Sequence, residues 1–349
     1  MARFAELARL SGIVEMGLLP DALVRFGIRR MLAQRLRELS APAVASPTAQ
    51  QSFLEACRQG PIALAPDLAN EQHYEVPPMF FESVLGPHLK YSCCLWGANI
   101  VTLSDAEDSM LALTCERAEV RDGMSVLDLG CGWGSLSLYV AERFPACRVL
   151  AVSNSKPQRE FILEHAAQRC LTNVAVVTAD VNHFEAPGRF DRVVSIEMFE
   201  HVRNHEALLA RIAGWLAPGG RLFVHHFCHH ERSYPYEDAG PSDWMARHFF
   251  SGGMMPSEGW LQNFERDLAL VNRWRVGGIH YARTSEAWLA NLNAQRTQLR
   301  PIFATAYGEG EAQRWIQRWR LFFLACAELF AHRDGAEWFV THQLLAPRP

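Results

Sequence analysis

Three stretches of the chain carry side chains in spacings that could do chemistry. The first is Asp128-Leu129-Gly130-Cys131-Gly132-Trp133-Gly134, where an apolar strand runs into a glycine-rich turn and then into a helix. A dinucleotide site spaces its glycines G-x-G-x-x-G, whereas this turn reads G-x-G-x-G with Asp128 two residues ahead, which points to a nucleoside ligand without a pyrophosphate. Glycines let the backbone approach a ligand and adopt positive φ, and a carboxylate at a strand end can hold an ammonium or a hydroxyl. S-adenosylmethionine offers the matching groups: an α-amino group, a ribose diol and an adenine. A tight strand-to-helix turn with no ligand is the competing reading of an isolated G-x-G.

The second stretch is Glu197, Glu200 and His201, two carboxyls and an imidazole able to take a proton from a nucleophile. Its bland alternative is that Glu200 caps a helix while His201 packs. The third, His225-His226-Phe227-Cys228-His229-His230, is dense in metal-ligand types. Alternation along a strand sends His225, Phe227 and His229 to one side and the others opposite, so few could meet at one ion, and no metal is expected.

To act on one ligand, these groups must sit at the carboxyl ends of neighbouring strands. Strands are read before Asp128 and at 148–153, 174–178, 192–196 and 221–227, with helices at about 157–169 and 208–216 between them. Pro157 suits a first helical position. Repeated β-then-α with apolar strands predicts an α/β fold: a mostly parallel sheet covered by helices on both faces, with ligands at the strand ends. A further helix is read over 104–118, with Ser104 as N-cap and Glu107 completing a capping box. Residues 229–265 and 281–334 read as inserted helices with a strand at 271–276 between them, and 337–345 as a last strand. The insertions are expected to form a cap, since a site that excludes water needs walls that a bare sheet lacks. Trp244, Phe249, Phe250, Trp260, Tyr281 and Trp288 in that cap either receive an aromatic or cationic guest or form its core.

Upstream, residues 4–38 read as one or two amphipathic helices. Leu7, Leu10, Ile13, Val14 and Leu18, then Leu23, Val24, Ile28, Met31, Leu32 and Leu36, recur at helical spacing, with Pro20 at the break. The stripe is expected to pack on the main domain. Arg25, Arg29, Arg30, Arg35 and Arg37 form a basic cluster that is either solvated or touches phospholipid headgroups. Residues 39–50 have the composition of a linker, followed by a short helix near 53–58 and by His73-Tyr74 before Pro77-Pro78. The chain therefore divides into an N-terminal helical segment (1–40), a linker and active-site access segment (41–103), a ligand-binding α/β core (104–228), helical cap insertions with an intervening strand (229–335) and a final core strand with its tail (336–349).

Composition sets the outer bounds. The 349 residues are 49% hydrophobic and 21% charged, which suits a folded domain with an accessory part. A net charge of -4 gives no nucleic-acid footprint and no polybasic tether. No apolar run reaches the ~18 residues of a spanning helix, and no signal-peptide layout opens the chain. Nine cysteines without C-x-x-C pairs favour a reducing, cytoplasmic setting. The oligomeric state stays open, a homodimer included.

The glycine turn, Tyr91-Ser92-Cys93, Ser153-Asn154-Ser155 with Gln158, Met198-Phe199-Glu200-His201-Val202, Gly252-Gly253, Pro256-Ser257 and His280-Tyr281 together resemble the cyclopropane fatty acid synthase family of S-adenosylmethionine-dependent enzymes. Ser195-Ile196-Glu197-Met198-Phe199-Glu200-His201, the 224–229 stretch and Phe249-Phe250-Ser251-Gly252-Gly253 are similar to its coclaurine N-methyltransferase branch. The likeness runs from about residue 10 to 345. It implies a Rossmann-like class I methyltransferase fold, with S-adenosylmethionine as cofactor and S-adenosylhomocysteine as product. By resemblance, Gly130, Gly132 and Asp128 face the methionine part together with Tyr91 and Ser92. Asn154 and Gln158 take the ribose in place of the usual acidic residue. Asp180, next to Val181, accepts from the adenine amino group, unless it is only a turn residue, and Ile196 completes the wall.

The branch also implies a small amine substrate, aromatic or cyclic, with Glu200 and His201 as the acid-base pair and Glu197 attracting the substrate cation. The alternative is cyclopropanation or C-methylation of an unsaturated phospholipid acyl chain, with peripheral membrane contact and a bound bicarbonate held by Cys93, Glu200, His225 and Tyr281. Two departures speak against it. Phe227 replaces a smaller aliphatic residue, and Glu197 stands where the synthases carry glycine, a costly charge beside an acyl chain.

Overall fold

A computed structural model describes residues 12–64, 76–238, 240 and 243–348; Leu7, Leu10 and His73-Tyr74 lie outside them. Five apolar segments align in parallel: β1 (Ser125–Leu129), β2 (Arg148–Ser153), β3 (Val174–Thr178), β4 (Phe190–Ile196) and β5 (Leu216–His229). With β6 (Leu268–Val276) and β7 (Trp338–Pro347) they form one seven-stranded sheet in the order β3-β2-β1-β4-β5-β7-β6, in which β7 runs antiparallel to both neighbours. Because β2 flanks β1 on one side and β4 on the other, the winding reverses at β1, and a crevice opens at the carboxyl ends there. Val126, Leu127, Leu129, Val193 and Val194 are all buried, as expected for strands covered on both faces.

Among the described residues, the helices of nine residues or more are α1 (Asp21–Leu39), α2 (Pro47–Gln59), α3 (Leu103–Arg117), α4 (Ser135–Arg143), α5 (Lys156–Gln168), α6 (His205–Trp215), α7 (Gly278–Tyr307) and α8 (Glu309–Ala331); Pro78–Val84 adds a shorter one. The long α7 and α8 form a hairpin whose apolar sides hold Trp288, Leu292, Trp319 and Phe323 out of water. Among the described residues, no helix is long and apolar enough to cross a membrane.

Several expectations are corrected. Residues 39–50 are not a linker: Pro42–Ala45 make a helical turn and α2 opens at Pro47, where the Ser46 hydroxyl accepts the Ala49 N–H at 3.2 Å. Serine followed by proline here is a cap and a first helical residue. The cap of α3 is Thr102, which accepts from Asp105 N–H at 3.1 Å, and not Ser104. Glu107 turns inward instead, where it accepts the N–H groups of Gly86, His88 and Lys90. The described residues of 229–265 are mostly irregular, with a two-residue strand pair (Tyr234–Pro235 with Met254–Met255) and two short helices, Trp244–His248 and the 3-10 turn Trp260–Phe264.

On α1, Val24 and Leu39 are buried, but Leu23 and Met31 are exposed, so the stripe packs only in part. The basic cluster is largely committed to acidic partners: Arg25 pairs with Glu286 and Glu328, Arg29 with Glu328, and Arg35 with Asp243 and Glu38. That arrangement docks α1 on the α7–α8 hairpin and leaves the headgroup reading without those arginines.

Candidate active site

The crevice is lined by Tyr91, Ser92, Asp128, Gly130, Gly132, Asn154, Gln158, Asp180, Val181 and Ile196, so the fold brings together every residue the sequence assigned to the cofactor. Gly130 and Gly132 both have positive φ, at 82° and 53°. A Cβ at Gly130 would lie 2.6 Å from Met198 Cγ, whereas one at Gly132 would meet nothing within 4 Å and would stand in open space. Asp128 is buried and accepts the Ser137 hydroxyl at 2.6 Å; burial pushes its carboxyl up to about 6.

The residues after β2 are ordered by one another. Ser153 Oγ accepts the Ser155 N–H, so its own proton goes to Gln158 Oε1 at 2.6 Å. That leaves Gln158 Nε2 buried without a partner, a donor awaiting an acceptor such as a ribose hydroxyl. This unmet donor, the open space at Gly132 and the carboxylate of Asp128 together fit S-adenosylmethionine. Asp180 does act as a turn residue, accepting the Asn182 N–H at 2.8 Å, yet it also faces the crevice, so the two readings are compatible.

Two polar lining residues, Lys90 and Ser135, stand outside the sequence candidates. Lys90 is buried and its ammonium donates to Ser92 Oγ, so the Ser92 proton must point elsewhere. The Ser135 hydroxyl, at the start of α4, is buried without a partner. A lysine beside Tyr91-Ser92 and a hydroxyl directly after the last glycine were the available signals.

The acid cluster lies just past β4. Glu197 and His201 line the crevice; Glu200, His225 and Tyr281 lie outside its lining. The Glu197 carboxylate is the hub. Its Oε1 accepts the Cys93 N–H at 2.8 Å and lies 3.2 Å from His225 Nε2, and its Oε2 accepts the Tyr281 hydroxyl at 2.5 Å. Burial pushes Glu197 up, and the nearby Lys90 charge, the Cys93 N–H, the Tyr281 hydroxyl and His226 pull it only part of the way back. Glu200 is fully buried; its Oε1 accepts the Phe227 N–H at 2.7 Å and its Oε2 has no partner. Burial, and then the Glu197 charge, hold it well above the usual carboxylate range. Both carboxyls are thus pushed up, Glu200 further than Glu197, and Glu197 has more of the donors that favour an ionised form.

His201 lies against Phe250 with ring centroids 4.4 Å apart, and Phe250 in turn meets Phe227 and Tyr236. Tyr281 stacks on Phe330 at 4.2 Å. Of the cap aromatics singled out in the sequence, Phe250 and Tyr281 stand at this cluster, while Phe249, Trp260 and Trp288 are core. Trp244 is half-buried and bonds Glu15. The strand-alternation argument about the histidines fails at one end, because His229 and His230 both approach Glu337 at 3.0 Å once β5 has ended. Even so, His229 Nδ1 accepts the N–H groups of Glu231 and Arg232, which puts the ring proton on the nitrogen facing Glu337 and leaves it no lone pair for an ion there.

The strand order, the glycine turn at the switch point and the crevice that fits a nucleoside sulfonium define an S-adenosylmethionine-dependent methyltransferase of class I fold. More narrowly, the chain belongs to the mycolic acid cyclopropane synthetase family, whose family model matches residues 66–338. It is 40% identical to (S)-coclaurine N-methyltransferase of Thalictrum flavum subsp. glaucum over 345 residues, 97% of this chain and 96% of that one. Against the cyclopropane-fatty-acyl-phospholipid synthase of Escherichia coli it is 28% identical, over 78% of this chain and 67% of that one. The crystal structure of a coclaurine N-methyltransferase bound to N-methylheliamine and SAH superposes with a TM-score of 0.91 at 38% identity, covering 99% of this chain and 100% of that one.

Proposed function

We propose that the protein N-methylates a small cyclic or aromatic amine, with Glu197 holding the amine as a cation and Glu200 with His201 handling its proton. One observation carries the reading: Glu197 occupies the donors that a bicarbonate would need. Three of the four groups that the lipid chemistry would use on that anion are already engaged by Glu197: the Cys93 N–H and the Tyr281 hydroxyl donate to its carboxylate, and His225 Nε2 lies 3.2 Å from it. The site thus has its own fixed anion, which suits a cation and burdens an alkene.

S-adenosylmethionine supplies an electrophilic methyl on a sulfonium. The chain's task is then to align a nucleophile and free its lone pair. An amine is mostly protonated near neutral pH and must lose that proton before attack. Glu197, whose ionised form the Cys93 N–H, the Tyr281 hydroxyl and the Lys90 charge favour, attracts the ammonium. Glu200, held well above the usual carboxylate range, is the stronger base of the two: it first gives up its own proton through His201 toward the crevice, and as a carboxylate it then takes the proton that the amine loses. Phe227, Phe250 and Tyr281 wall the cluster with aromatic faces, which stabilise a cation by about 0.5–2 kcal/mol each. The free thiols of all nine cysteines support a cytoplasmic enzyme.

The test is product mass after incubating the protein and cofactor separately with a panel of secondary amines and with unsaturated phospholipid vesicles. Methylated amine with unchanged lipid is expected. Modified acyl chains with no methylated amine would overturn the assignment.

A further inference from the structure

Glu197 is joined to the far side of the sheet by a line of hydrogen bonds. Arg117 Nη1 on α3 lies 2.9 Å from His342 Nδ1 on β7, His342 Nε2 lies 2.9 Å from His225 Nδ1 on β5, and His225 Nε2 lies 3.2 Å from Glu197 Oε1. The two imidazoles face each other because His225 and His342 are register partners in the antiparallel β5–β7 pair. Both are fully buried. Burial, with the charges of Lys90 and Arg117, pushes both rings well below their ordinary range, so each is neutral and carries one proton.

A guanidinium can only donate. His342 Nδ1 must therefore accept, which puts the His342 proton on Nε2. That proton goes to His225 Nδ1, so the His225 proton sits on Nε2 and points at Glu197. One assignment satisfies all three contacts. The reverse wire would put a proton on Glu197, have it donate to His225 Nε2, and finish with a His342 Nδ1–H aimed at the guanidinium, two donors face to face. Arg117 excludes that state, and its guanidinium is itself held over the Trp274 ring at 5.1 Å.

We propose that Arg117 and His342 are positioning residues: acting through His225, they fix the direction of the hydrogen bond to Glu197 and hold Glu197 as the carboxylate. The part that Glu197 plays toward an amine rests on the function proposed above; the wire itself does not. Other groups also face Glu197. Lys90, Cys93 and Cys94 do so from the segment before α3, His226 from β5, Glu200 from the turn after β4, Tyr281 from α7 and Cys326 from α8. Arg117 touches none of the catalytic groups directly, so its removal isolates the wire.

The experiment uses the full chain with selective isotope labels. Long-range proton–nitrogen spectra of the histidine rings are expected to show His225 and His342 both protonated on Nε2. Nδ1 protonation of either ring overturns the proposal without any variant. The carboxyl-carbon titration of Glu197, identified by its loss in Glu197→Gln, is then compared in wild type, Arg117→Met and Arg117→Lys. Arg117→Met should raise the midpoint by about one pH unit, because the reversed, protonated wire becomes accessible. Arg117→Lys, which keeps a donor and a charge, should return it at least halfway, and calorimetric affinity for S-adenosylmethionine should stay within about twofold. A midpoint unmoved in Arg117→Met overturns the relay. Because the titration is read on the carboxyl itself, a shifted midpoint with no amine turnover would sustain the relay and sink only the amine reading.

Discussion

Asp128→Asn separates what this carboxylate does for a ligand from what it costs the fold. Its side chain is fully buried and its carboxyl is pushed from 3.8 up to about 6 by burial, with the Ser137 hydroxyl and N–H opposing. The folded state therefore binds the proton more tightly than the unfolded chain does. Stability is highest below the unfolded value of 3.8 and falls as pH rises from there to about 6. Roughly two units at 1.36 kcal/mol each give a cost of about 3 kcal/mol at neutral pH. An asparagine keeps an acceptor for the Ser137 hydroxyl and carries no charge, but it gives up part of the second contact with the Ser137 N–H. Cofactor-free Asp128→Asn should therefore be about 1–3 kcal/mol more stable than wild type at pH 7.5, with the gap closing toward pH 4. The same variant should bind S-adenosylmethionine tenfold to a hundredfold more weakly, since a hydrogen bond to a charged partner is worth about 1.5–3 kcal/mol. Denaturant unfolding at both pH values and calorimetry check the two halves. Equal stability at pH 7.5, or unchanged affinity, would refute the reasoning.

Gly132→Val should fold yet lose cofactor binding, because its side chain would fill open crevice at a φ of 53° that a β-branched residue resists; retained calorimetric affinity would count against the placement. Asp180→Ala should weaken cofactor binding by about tenfold, in line with one lost hydrogen bond, while single-turnover rates at saturating cofactor persist. A collapsed single-turnover rate would move Asp180 into the catalytic set. Glu200→Gln should cut turnover about 10²–10⁴-fold, with the residue of activity climbing as pH rises and more amine arrives unprotonated; a flat profile would remove Glu200 as the proton acceptor. Glu197→Gly should abolish amine turnover and leave the Cys93, His225 and Tyr281 donors facing an empty place, so added formate or bicarbonate should restore part of it, and no response to either anion would refute the exchange.

What could be read from the sequence is what local chemistry dictates. The glycine turn, the polar residue after each parallel strand and the strands themselves are specified by residues close together in the chain, and the fold places them as expected. The errors arose where one local signature had two meanings. Ser104 with Glu107 fits a capping box, but Thr102 caps α3 and Glu107 is spent on three N–H groups of a distant turn. Ser46-Pro47 looks like linker and starts a helix. Other features depend on register alone: nothing near His342 in the sequence announces that it faces His225. The cap aromatics divide between core and site according to which loop bends toward Glu200, a matter of tertiary packing that composition does not encode.

On the function proposed above, a single residue, Glu197, redirects the chemistry of the fold. Its φ is 49°, a left-handed conformation that costs a residue with a side chain about 1–2 kcal/mol and costs glycine nothing. By resemblance, the cyclopropane synthases carry glycine at this position, which suits that backbone and leaves room for a free anion. In this chain the same turn bears a carboxyl group, and the Cys93 N–H, the Tyr281 hydroxyl and His225 Nε2 meet it there. A diffusible anion must be captured from solution and can leave; a tethered one is always present at the same place. On that reading, the strain at one backbone position and the burial of one charge are offset by these contacts and by a fixed negative centre beside the crevice. A substrate that brings its own positive charge gains from that centre, and a neutral acyl chain does not.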